Sequence, residues 1–102
     1  MSKMDLDRAR REEMRWLILR ALYAAQPMGT SENIILNAID PCIPDATVTE
    51  IRKELDYLVE RDLATIVDKR HFRWFAKINR NGIDVIEYTV ECHAGIARPK
   101  EW

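Results

Sequence analysis

The side chains able to do chemistry fall into two sets, one sparse and one dense. Cys42, Cys92, His71 and His93 make up the sparse set. A zinc site could be drawn from these four, but none of the short paired spacings that define such sites is present. The thiols read instead as reduced cysteines packed as small hydrophobes. No glycine-rich phosphate loop, nucleophile motif or carboxylate pair in a catalytic frame accompanies them. The chain is expected to bind, with no metal or cofactor, rather than to catalyse.

The dense set is cationic. Lys69, Arg70, Arg73, Lys77 and Arg80 lie within twelve residues that contain no acid, and His71 sits among them. The net charge of the chain is −1, so any footprint for a polyanion must be local. Cations at a hairpin edge also guard it against strand pairing, but five without an acid exceed that need. Lys69, Arg70, His71 and Arg73 are therefore candidates for phosphate contacts, which add affinity without regard to sequence.

A second candidate set comes from a helix announced by Thr47-Val48-Thr49-Glu50, a capping box. Val48, Ile51, Leu55, Leu58 and Val59 follow at helical spacing through Arg61. Thr47, Thr49, Arg52 and Lys53 lie off that stripe near the helix start, together with Asp56. A helix entering a major groove reads bases from that region, with arginine able to fork to guanine. The plainer alternative is a solvated face with pairs such as Arg52 with Asp56. The stretch from Thr47 to Asp62 carries five acids against three bases, which suits phosphate poorly.

The elements that position these residues can be read around them. Asp5 to Gln26 has Met14, Leu17, Ile18, Ala21, Leu22 and Ala25 on one stripe of a long first helix, which Pro27 and Gly29 stop. Trp16, Leu19 and Tyr23 form a second stripe, the expected interface of a homodimer; cover by the last helix and the tail is the alternative. A short second helix begins after Thr30 or Ser31 and carries Ile35, Leu36 and Ile39. Beyond the third helix, Leu63 to Val67 and Phe72 to Ile78 read as a hairpin. Alternation turns Phe72, Trp74, Ala76 and Ile78 toward the core, and His71, Arg73, Phe75 and Lys77 away from it. Trp16, Phe72 and Trp74 are read as core rather than as a platform for bases. Asn79 caps a last helix from Arg80 to about Val90, with Ile83, Ile86 and Val90 inward.

Three helices, a hairpin and a last helix make a mainly α, α+β winged helix-turn-helix, with one domain over residues 1–102. Residues 1–13 are a charged extension of the first helix and 91–102 an irregular tail. The plan usually includes a short strand between the first two helices, for which Met28-Gly29 is the only room. No apolar run approaches the roughly 18 residues of a membrane span, and the charged start does not read as a secretory signal.

Glu50-Ile51-Arg52-Lys53-Glu54-Leu55-Asp56-Tyr57-Leu58, Glu60-Arg61-Asp62-Leu63, Asn79-Arg80-Asn81-Gly82-Ile83-Asp84-Val85 and Gly95-Ile96-Ala97-Arg98-Pro99 together carry a resemblance. From about Arg15 to Pro99 the chain resembles small winged-helix proteins of Mu-like bacteriophages and prophages, a family without a settled activity. Asn79 stands where that family favours threonine, and Asp62 where it favours glycine. The resemblance implies a phage protein in the bacterial host cytoplasm. Two functions are open: binding of double-stranded DNA, regulatory or architectural, and an adaptor that docks a phage or host protein during packaging or assembly.

Overall fold

In the computed structural model, which describes residues 1–69 and 72–101, Ser2 caps a first helix, α1 (Lys3–Ala24), its side chain accepting from the Asp5 amide. The first nine residues are exposed, and the helix enters the core only from Met14 onward. Met14, Trp16, Ile18, Leu19 and Leu22 are its buried residues, so the expected stripe is rotated. Leu17 and Ala21 are half-buried at the margin.

A two-residue strand, β1 (Thr30–Ser31), follows directly on Met28-Gly29, where the sequence left room for a strand but showed none. Ser31 doubles as the N-cap of α2 (Glu32–Ile39), accepting from the Ile34 amide, and Ile35 and Ile39 anchor that helix in the core. The Thr47–Glu50 capping box opens α3 (Val48–Glu60), with both reciprocal bonds in place. Ile51, Leu55 and Leu58 are fully buried against α1 and α2. Of the two valines expected in the core, Val48 is half-buried and Val59 is exposed.

The end of α3 is closed at Asp62. Asp62 itself takes the left-handed conformation, φ 59°, which asparagine and aspartate tolerate better than other side chains do. Its amide bonds Val59 O at 2.9 Å, and the Leu63 amide bonds Leu58 O at 2.9 Å. This is a Schellman closure without glycine. The Asp62 carboxylate then accepts from the side-chain amides of Asn79 and Asn81, tying the end of α3 to the start of the last helix.

Strands β2 (Ala64–Asp68) and β3 (Phe75–Ile78) form an antiparallel hairpin, and β1 adds to β3, giving the order β1-β3-β2. The register slips between Ile66 and Asp68. A bulge of this kind bends the strand and re-aims the side chains beyond it. The last helix, α4 (Arg80–Ile86), capped by Asn79, is shorter than expected. Tyr88 ends it in the left-handed region at φ 61°, so Val90 lies outside the helix and exposed. Gly82 is set by close approach: a Cβ there would collide with the Leu63 carbonyl. The radius of gyration, 13.0 Å, is that of a single folded unit of about 100 residues. No helix among the described residues is long and apolar enough to cross a membrane.

Candidate nucleic-acid interface

The acids of α3 are the first test of its suitability for phosphate. Arg10 on α1 forks onto Glu50 at 3.0 and 3.1 Å and reaches Asp45 at 2.9 Å. These bonds hold the Glu50 and Asp45 carboxyls below their ordinary ranges. Arg15 meets the buried Glu54 at 2.8 Å, lies 3.6 Å over the Tyr57 ring, and donates to the Gly95 carbonyl. Lys69 on the hairpin side reaches Asp56 at 3.0 Å. With Glu60 3.9 Å from Arg61, four of the five acids between Thr47 and Asp62 therefore face cations of the same chain.

Near its start, α3 leaves Thr47, Thr49 and Lys53 exposed to solvent. The Thr47 hydroxyl is engaged by the capping box, while Lys53 forms no ion pair among the described residues. Sequence reasoning missed Arg10 and Arg15. The usable signal was the spacing of Glu50 and Glu54, which flank Ile51 and Leu55 and so must border the helix that packs there.

Arg52 requires a correction. It does not stand free to read a base, nor does it pair with Asp56. Its guanidinium grips Glu32 at 2.6 and 2.7 Å and donates to the Phe72 carbonyl at 2.8 Å. Glu32 is only 2% exposed, and a buried carboxylate is stable only with a partner of this kind. The arginine holds the Glu32 carboxyl below its ordinary range. Glu32 N also donates to Trp74 O at 2.9 Å. Arg52 is thus a joint between α2, α3 and the hairpin, invisible in sequence because its partner lies on another helix.

The hairpin also departs from the expected alternation. Ala76 and Ile78 are buried as read, but Trp74 is half-buried, with Arg52 at 5.1 Å and Lys69 at 4.5 Å from its ring centre. Phe72, expected in the core, is 85% exposed. Pairing stops at Phe75, so the period-two rule does not extend to Phe72. Val67, Asp68, Phe72, Arg73 and Phe75 line an open groove at this end of the hairpin. Arg73 is exposed, its guanidinium 5.8 Å from the Phe72 ring centre. The candidates Arg70 and His71 lie outside the described residues.

On the opposite side, the stripe expected to form a dimer is closed by the chain itself. Leu19 is fully buried and Trp16 is 7% exposed. Trp16 meets Tyr88 edge-on, and the Tyr23 hydroxyl donates to Glu87 at 2.7 Å. Arg98 in the tail donates to the Val85 and Val90 carbonyls and lies 4.4 Å over the Tyr88 ring. Ala97 N bonds Glu12 O on α1. The irregular tail is a strap.

Cys42 is exposed and Cys92 half-buried, with burial pushing the Cys92 thiol up. No cluster of three potential metal ligands occurs among the described residues. Compared with family models, curated proteins and solved structures, the chain matches none of them. Its function must be argued from this geometry.

Proposed function

We propose that the chain is a non-enzymatic winged-helix DNA-binding protein, with α2 and α3 as the helix-turn-helix and β2–β3 as the wing. The observation that carries this reading is the internal neutralisation of Glu50, Glu54 and Asp56 by Arg10, Arg15 and Lys69. Carboxylates facing phosphate would repel it, but these three are occupied. The exposed start of α3 offers the Thr49 hydroxyl and Lys53. The Mu-like phage resemblance and the host cytoplasm it implies belong to the same proposal.

On this reading Thr49 and Lys53 approach the groove and Arg73 supplies a wing contact to backbone, while Lys69 stays on Asp56 and keeps that acid neutralised. Binding is modest in affinity and steeply dependent on salt. Titration of duplex DNA over a salt series tests it. Each phosphate contact removed, by Arg73→Ala or Lys53→Ala, lowers the log–log slope by about one unit. A folded protein with no salt-dependent binding at low ionic strength would overturn the proposal and move the search to protein partners.

A further inference from the structure

Phe72 is the most exposed aromatic side chain among the described residues, yet the backbone that carries it is held. Its carbonyl accepts from Arg52 Nη2 at 2.8 Å, and Arg52 is itself locked in a fork on the buried Glu32. Two residues on, the Trp74 carbonyl accepts from Glu32 N at 2.9 Å, and the Trp74 ring lies near both Arg52 and Lys69. A ring in water on an anchored main chain differs from a ring on a frayed loop. The backbone that presents it is set before any partner arrives, so little main-chain ordering entropy is lost on binding.

We propose that Phe72 is a preset apolar wedge that enters a base step of duplex DNA from the minor groove and bends it. This rests on the DNA-binding reading and extends it toward an architectural role. The neighbours of the ring favour nucleic acid over an apolar protein surface. Arg73 lies beside it, Lys77 lies on the same hairpin, and both are exposed. Cations of this kind suit the phosphates on either side of a groove. One acid, Asp68, lines the same groove, with Val67 and Phe75. The hairpin is also joined to the proposed α3 surface by Lys69–Asp56 and by Arg52. Apolar side chains on minor-groove proteins part a base step and kink the duplex by about 20–90°, most readily at pyrimidine–purine steps.

The test uses the full chain and an A·T-rich duplex of about 20 base pairs with one central TA step. Its ends carry a donor–acceptor dye pair, and 2-aminopurine replaces the adenine of that step. The wild-type protein should shorten the end-to-end distance and raise 2-aminopurine fluorescence. Phe72→Ala should do neither, and should bind about tenfold more weakly with the salt slope unchanged. Phe72→Leu should restore both signals. Because Phe72 is exposed, an unchanged melting profile is expected for either variant and shows that the fold is intact. Bending by Phe72→Ala equal to wild type, or wild-type binding without bending, would overturn the wedge while leaving DNA binding in place. Absence of any salt-dependent binding by the wild type would overturn both.

Discussion

The two sides of this small domain treat large apolar residues in opposite ways. Behind α1, the chain spends its tail and last helix on cover: Trp16, Leu19 and Tyr23 are enclosed by Tyr88, Glu87 and the strap that ends near Pro99. At the hairpin, Phe72 and Val67 are left at 85% and 56% exposure, although Arg52 and Lys69 lie close by and hold Trp74. The covered side shows that the chain has the means to enclose aromatic residues. Exposure at the hairpin is therefore a property of that surface and not a shortage of core.

The largest effect expected on the closed side comes from the helix that both sides share. Leu55 is fully buried, and Leu55→Asp places an unpaired charge where α1 and α3 meet. The cost, several kcal/mol against a typical total of about 5–15 kcal/mol, should abolish the cooperative melt. A melting curve like that of the wild type would show that α3 does not pack through Leu55.

A smaller loss is expected at Arg15. Arg15→Ala strands Glu54, whose side chain is 4% exposed, and breaking a buried pair costs about 3–5 kcal/mol. Adding Glu54→Gln should recover much of that loss in denaturant titrations, since the stranded charge is then gone. Equal instability of the single and double variants would assign the effect to lost packing on Tyr57 instead. On the same side, sedimentation at high micromolar concentration should give the monomer mass. The face expected to form a dimer is occupied, and a dimer broken by Trp16→Ala would mean that the strap opens.

The acid limb of stability probes the joint beneath the hairpin. The Glu32, Glu50 and Asp45 carboxyls are all held below their ordinary ranges, chiefly by hydrogen bonds from Arg52 and Arg10. A carboxyl with a folded pKa below its unfolded one contributes stability that is complete above the unfolded value, about 4. That contribution is lost as pH falls through the folded value. Denaturation midpoints should hold steady above about pH 5 and fall below it. Glu32→Gln should lower the plateau by about 1–2 kcal/mol and flatten the fall.

Much of this fold was legible because its signals were local. The capping box at Thr47, the Asn79 cap, the cap at Ser31 and the apolar stripe of α3 each depend on residues within a turn or two. The hairpin was anticipated, but the strand at Thr30–Ser31 that extends it to three strands was not, because two residues carry no alternation to read. Failures arose where a distant partner decides. Arg52 looked like a groove-reading side chain until Glu32, twenty residues away, claimed it. Phe72 looked like core, but strand pairing stops at Phe75 and the alternation does not reach it. The tail has no periodicity, and its role as a strap depends on contacts with Arg15, Glu12 and the end of α4 that no pattern announces.

The smallest expected effect separates two adjacent cations that looked alike in sequence. Arg52 is committed to Glu32 and to the hairpin backbone, whereas Lys53 is exposed and without an ion pair among the described residues. Lys53→Ala should leave stability within about 0.5 kcal/mol of wild type, as for most surface changes, while lowering the DNA salt slope by about one unit. Arg52→Lys should do the reverse. Lysine cannot reproduce the planar fork on Glu32 or reach the Phe72 carbonyl at the same time, so stability falls. The preference among DNA sequences should nevertheless stay as it was, because Arg52 faces protein. If Arg52→Lys instead relaxes preference at one base position with the melt unchanged, the arginine leaves Glu32 for DNA, and the joint is a latch. If Lys53→Ala changes neither slope nor affinity, the exposed start of α3 does not meet phosphate, and the hairpin alone carries the interface.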